Sequence, residues 1–273
     1  MIGWRCQMSL TDELISFWEL EESSGTRFDA HGSHDLVDNN TVGQGTGKVG
    51  NCADLYSSNS EYLSHSNTPE LATGDIDFTI AAWANLRSTG GSPRIAAKGR
   101  WTTQREWGLY YTGSRFVFYI SADGDNVYDV VEAYDFGAVS LNTWYLVVAW
   151  HDETEDTMNI QVNNGTVDSH ATGGDAPAKR LGLFSIGSEY GYGLFNGMVD
   201  QVGFWKRVLT SEERTRLYNN GAGLTYDALD FPKPPAEALK TVILTPSIGL
   251  YDTRIKLRAK ARDTFLTTRV RNQ

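Results

Sequence analysis

Between Leu183 and Tyr218 the chain reads LFSIGSEYGYGLFNGMVDQVGFWKRVLTSEERTRLY. The order is a strand, a loop rich in glycine and tyrosine, a strand with one acid at Asp200, and a short helix. Thr210 or Ser211 caps that helix, Glu212 and Glu213 occupy its positive first turn, and Arg214 and Arg216 follow toward its negative end. Asn219, Asn220 and Gly221 stop it. In the preceding strand Met198, Gln201 and Phe204 stand against Val199, Val202 and Trp205, too apolar for a clean alternation. Such a strand is covered on both faces and belongs inside a sandwich.

Two other segments carry the same design. DFTIAAWANL, from Asp77 to Leu86, alternates Phe78, Ile80 and Ala82 with Thr79, Ala81 and Trp83. NTWYLVVAW, from Asn142 to Trp150, is followed by the polar turn DETED and then by Met158 to Val167, which predicts a hairpin of two strands.

These pieces resemble, in order, a laminin G-like module of the concanavalin A-like lectin and glucanase superfamily. Matching segments are LISFWELEESSGTRFDAHGSHDL from Leu14, GKVGNCADL from Gly47, DFTIAAWANL, RIAAKG from Arg94, the hairpin, and LFNGMVDQVGFWKRVLTSEERTRLYNNG, together spanning most of residues 9–227. The resemblance implies an all-β, two-sheet antiparallel jelly roll.

Length is compatible with one large sandwich, because all-β domains commonly reach this size. No apolar run approaches the roughly 20 residues of a membrane span, so no membrane insertion is expected. MIGWRCQMSLTDEL has no apolar stretch of signal-peptide length, so the expectation is synthesis without Sec export. Two sequons, at Asn39 and Asn164, then read as ordinary turns. Cys6 and Cys52 form neither a disulfide framework nor a metal spacing, and Cys52 reads as a small buried hydrophobe.

Charge divides the chain. The net value of −10 conceals a segment, residues 237–273, with eight basic and three acidic groups, so the remainder carries −15. Prolines at 232, 234 and 235 mark a stiff linker over residues 231–236. The expected organisation is a leader over residues 1–8, the sandwich over 9–230, the linker, and a basic β arm over 237–273. In the arm, Arg254, Lys256, Arg258, Lys260 and Arg262 alternate with Ile255, Leu257, Ala259 and Ala261, giving a basic stripe on one face. An arm this short cannot bury a core of its own and needs something to dock on: the sandwich, a neighbouring copy or another subunit. Nucleic acid is the weaker partner, since the chain is acidic overall and no aromatic residues interleave with the stripe.

Three kinds of chemistry are candidates. Some superfamily relatives are glycosidases, which set two carboxylates about 5 to 10 Å apart. Here the dense acidic run, Asp152 to Asp156, falls in a hairpin turn, where charges are solvated, and no enzyme activity is expected. The resemblance places calcium near the first and last strands, at positions matching Glu22, Asp29 and Asp200; Arg27 or Lys206 neutralising a buried Asp200 is the alternative. A glycan site would use aromatic faces beside planar polar groups: Trp101, Tyr190, Tyr192 and Arg100 are the residues chosen, with Trp107, Tyr110 and Arg105 as neighbours and Trp107 read as core.

Structural proteins of bacterial viruses often resemble such modules. The reading is therefore a non-catalytic decoration or adhesion protein of a virion surface, docked by its C-terminal arm to other assembly proteins or to its own copies, with host-surface glycans as a further partner. A free lectin, calcium-dependent or not, is the rival reading, and a polysaccharide-degrading enzyme is the third.

Overall fold

The computed structural model describes residues 9–100, 103–125 and 128–230. Within them two antiparallel sheets face one another. The first runs β13 (Val167–Ala171), β12 (Thr157–Val162), β11 (Trp144–Asp152), β6 (Phe78–Leu86), β15 (Gly197–Trp205), β4 (Asn51–Leu55), β3 (Gly43–Thr46). A further strand, β1 (Leu14–Trp18), pairs with the second half of β15, whose first half pairs with β4. The second sheet runs β10 (Asp129–Glu132), β9 (Phe116–Ile120), β8 (Thr103–Tyr111), β7 (Arg94–Arg100), β14 (Phe184–Ile186), β5 (Tyr62–His65), β2 (Val37–Asn39). This is the expected jelly-roll sandwich.

The alternation in β6 sorts its side chains as expected. Phe78, Ile80, Ala82, Ala84 and Leu86 enter the core between the sheets, where Trp107, Phe184 and Phe204 meet them. Ala81 and Trp83 face the other way into a second apolar layer with Phe17, Trp150, Trp205 and Leu217. That layer is roofed by helix α1 (Ser211–Tyr218) and the segment reaching Leu229. The first sheet is thus covered on both faces, which explains the near-continuous apolar strands.

Helix α1 starts as the sequence predicts. Thr210 accepts the Glu213 amide while the Glu213 carboxylate accepts the Thr210 amide, a reciprocal cap. Glu213 also binds Arg207 through two hydrogen bonds of 2.7 Å, both side chains nearly buried. Asn219, in the left-handed region at φ 47°, ends the helix.

Two sequence expectations are corrected. The strand expected to run from Met158 to Val167 breaks at Asn163 and Asn164, whose φ values of 50° and 56° turn the chain between β12 and β13. In β15 a bulge between Asp200 and Gly203, with Gln201 at φ 47°, shifts the pleat by one residue. Val199, Val202 and Phe204 all face the core as a result. The untidy alternation therefore has two causes: cover on both faces, and this bulge.

Candidate functional site

The second sheet presents its outer face differently. A row of small residues crosses it, Ser64 beside Ser185, Ser185 beside Ala97, and Ala97 beside Gly108, with Tyr119 next in line. Tyr119 lies down over Gly108: a Cβ there would stand 2.3 Å from the tyrosine ring. The resulting trough is shallow enough to accept a loop laid across the strands.

That loop joins β14 to β15 and contains SEYGYG. It is pinned to the start of β7 by the Gly187 amide on the Ile95 carbonyl and by the Arg94 amide on the Gly193 carbonyl. Glu189 and Tyr192 exchange backbone hydrogen bonds of 2.8 and 3.1 Å around Tyr190 and Gly191, whose φ values of 51° and 80° make a tight hairpin turn. The two flanking tyrosines are thereby lifted outward, Tyr190 45 % and Tyr192 42 % exposed.

Beneath them lies a buried ionic triad. Glu189 accepts from Arg105 Nε at 3.0 Å and from Arg94 Nε at 3.2 Å. Each guanidinium also stacks on tyrosine rings: Arg94 on Tyr110 at 4.3 Å and Tyr192 at 5.4 Å, Arg105 on Tyr119 at 5.5 Å and Tyr128 at 5.3 Å. Arg100, exposed at the far end of β7, covers Tyr190 at 4.8 Å. Burial drives the Tyr119 phenol well above its ordinary range, with Glu189 adding to the effect, so the ring stays neutral. The arrangement offers exposed aromatic rings and one exposed guanidinium, that of Arg100, on a base that is hydrogen-bonded and buried.

The structure brings Tyr190, Tyr192 and Arg100 to this one cap. Trp101 lies outside the described residues, as do Arg254, Lys256, Arg258, Lys260 and Arg262. Trp107 is buried among Phe78, Phe184 and Phe204, as its core reading requires. Sequence reading missed Glu189, Arg94, Tyr119 and Tyr128. A signal for Glu189 was present, since an acid beside YGY in a glycine loop needs a cation once the loop packs down.

The three acids matched to calcium do not form one ligand set, and among the described residues no group of three His, Cys, Asp or Glu side chains gathers as one. Asp29 spends its oxygens on the amides of Phe17, His31 and His34. Burial acts to raise its pKa, but the amides of Gly32, Phe17 and His34 outweigh it and the net shift is downward. Glu22 accepts the Phe28 amide. Asp200, at the β15 bulge, accepts the amides of Lys48 and Val49 at 2.7 and 2.9 Å, and burial still pushes its pKa up to about 7.

Neither cation expected to neutralise Asp200 does so. Arg27 is spent on the carbonyls of Gly25 and Val42 and on Asp38, while Lys206 donates to the Pro69 carbonyl. Gly47 explains the close approach instead, because a Cβ there would lie 2.7 Å from the Asp200 carboxylate. The acidic run from Asp152 closes the β11–β12 hairpin, where Asp152 accepts the Glu155 amide and Asp156 the Gly174 amide.

Residues 57–213 match the model of the Concanavalin A-like lectin/glucanases superfamily, more than half of the chain. The chain belongs to that superfamily. No curated protein matches it. Among solved structures, this lectin-like fold is similar to the binding domain of Paraclostridial Mosquitocidal Protein 1, with a TM-score of 0.63 at 15 % identity over 78 % of this chain and 53 % of that one. It is similar also to the receptor binding domain of botulinum neurotoxin D, at 0.58 and 13 % over 78 % and 54 %. A third is Domain 4 of AbnA, a GH43 extracellular arabinanase from Geobacillus stearothermophilus in complex with arabinotriose, at 0.57 and 12 % over 75 % and 97 %. The chain spans about half the length of the two toxin domains. At these identities the likeness concerns the fold.

Among the described residues no helix is long and apolar enough to cross a membrane.

Proposed function

We propose that this chain is a non-catalytic glycan-recognition module whose contact surface is the cap formed by Tyr190, Tyr192, Tyr128 and Arg100. The observation that carries the reading is the pairing of exposed tyrosines with a buried Arg94–Glu189–Arg105 brace. Aromatic faces cover the CH patches of a sugar and guanidinium groups reach its hydroxyls, while the brace removes the entropy cost of ordering the contact groups. The superfamily fold supports the reading, as does the arabinotriose held by a domain of similar fold.

The finer part of the proposal places the module in a larger assembly, such as a virion surface, through its basic C-terminal sequence. Support for that part is the separation of charge along the chain, with +5 over residues 237–273.

A glycan array on the full chain, followed by calorimetry on Tyr190→Ala, Tyr192→Ala, Arg100→Ala and Trp101→Ala, tests the module. Removing Tyr190 or Tyr192 should weaken binding at least about tenfold, and unchanged affinity in the Tyr190, Tyr192 and Arg100 variants would refute the cap as the site. A chelator arm tests the calcium requirement, and reducing-sugar release tests hydrolysis. Deletion of residues 231–273 should abolish assembly and spare glycan affinity.

A further inference from the structure

We propose that the groove between the free edges of β10 and β13 docks an extended basic segment supplied by a second copy of this chain. The inference rests on the reading that the basic C-terminal sequence anchors the protein in an assembly, and it names the surface on the neighbouring copy. β10 pairs with β9 alone and β13 with β12 alone among the described residues, so two strand edges border one open groove of about 250 Å³. Unpaired strand edges are templates for an added strand.

The lining is amphipathic. Val131 closes the inner side of the groove at the edge of the core, Val130 and Glu132 share the opposite face of β10, and Tyr134, Asp168, Ser169 and His170 complete the lining. Arg115 lies 3.6 Å from Glu132 and covers the Tyr134 ring at 4.3 Å, and His170 lies 3.9 Å from Asp129. Asp135 and Asp168 are joined only by a hydrogen bond, from the Asp135 amide to the Asp168 carboxylate at 3.2 Å, and neither forms an ion pair among the described residues. Burial raises the Asp168 pKa, and the Asp135 carboxylate raises it further. Glu132 and Asp168 in the lining, with Asp129 and Asp135 beside them, outnumber Arg115 and His170 and leave the groove negative. Like-charged edges keep copies of the groove apart and accept a cationic strand instead.

The chain carries a sequence of matching pattern. Arg254, Lys256, Arg258, Lys260 and Arg262 alternate with Ile255, Leu257, Ala259 and Ala261, outside the described residues. A strand places alternate side chains on one face about 7 Å apart. An added strand of this sequence beside β10 would set its aliphatic face on the side of Val131 and its basic face on the side of Glu132.

Sedimentation velocity on the full chain, at low and raised salt, tests the proposal together with a synthetic peptide of residues 250–263. The expected result is self-association at low salt that weakens as salt rises, that the peptide competes away, and that Glu132→Lys/Asp168→Lys weakens at least about tenfold. Mixing that variant with Arg254→Glu/Arg258→Glu/Arg262→Glu should restore association between the two. If the double variant does not fold by circular dichroism, the exposed single change Asp135→Lys carries the same test. A wild-type chain that is monomeric at every concentration overturns docking on a second copy and leaves only a different protein as the partner in the assembly reading. Self-association that ignores every charge reversal in the groove overturns this surface and leaves the assembly reading standing.

Discussion

Arg105 Nε lies 3.0 Å from Glu189 Oε1 with both side chains buried, although the residues are 84 positions apart. The same carboxylate holds Arg94. Two guanidiniums out of water on one acid make the triad unforgiving, because removing the acid strands buried charge. Glu189→Ala should therefore cost about 3 to 5 kcal/mol in urea unfolding and release the Tyr190 turn. Glu189→Gln keeps one acceptor and should cost visibly less. Equal loss in both variants would show that the charge alone matters at this position and that the retained shape and acceptor contribute nothing.

Asp200 makes stability depend on pH. Its pKa of about 7 in the fold exceeds the ordinary 3.8, so the folded state prefers the protonated acid. The sign follows from linkage: the contribution is full below pH 4, declines as pH rises toward 7, and is flat above. A gap of this size corresponds to roughly 4 kcal/mol at most. Asp200→Asn retains an oxygen for the amides of Lys48 and Val49 and cannot ionise. The difference in unfolding free energy between wild type and variant, measured from pH 4 to pH 8, should move steadily in favour of Asn. A difference independent of pH would show that the acid is ionised in the fold without penalty.

The fold was legible because its signals are local or periodic. Thr210 with Glu213 marks a helix start whatever the tertiary setting, and the alternation in β6 survives because its inner and outer faces pack against different apolar layers. What escaped depends on contacts distant in sequence. Asp200 is bound by amides some 150 residues away, so no local pattern distinguishes that arrangement from an ion pair. Tyr190, Tyr192 and Arg100 could be chosen because glycine, tyrosine and arginine in loops advertise exposure. Arg94 and Tyr119 read as ordinary strand residues, and only the pairing of β7, β8 and β9 places them under the loop.

Cys52 should be inert while the protein is folded. It is fully buried in β4, and burial, with Asp200 adding its charge, pushes the thiol up to about 12. At pH 8 the thiolate fraction is then on the order of one in ten thousand, and the thiolate is the species that reacts. In a Cys6→Ser background, iodoacetamide should label native protein at least about a thousandfold more slowly than protein in urea. Labelling at similar rates in both conditions would place the thiol in solvent.

Gly108 is predicted to be the most sensitive glycine for the cap. Its φ lies outside the left-handed region, so backbone freedom is not the reason. The reason is the Tyr119 ring, whose carbons lie 2.3 and 2.8 Å from an added Cβ. Gly108→Ala must lift that ring, which is buried and lies under Arg105, and the cost of such overpacking is about 1 to 3 kcal/mol. Lifting Tyr119 should also disturb Arg105 and, through Glu189, the turn that presents Tyr190. Removing the ring in the same molecule separates the two effects: Gly108→Ala/Tyr119→Ala should be less destabilised than the sum of the single variants, with a coupling of about 1 kcal/mol or more in a double-mutant cycle. Strict additivity would mean that the alanine methyl finds room elsewhere and that the trough does not owe its shape to glycine.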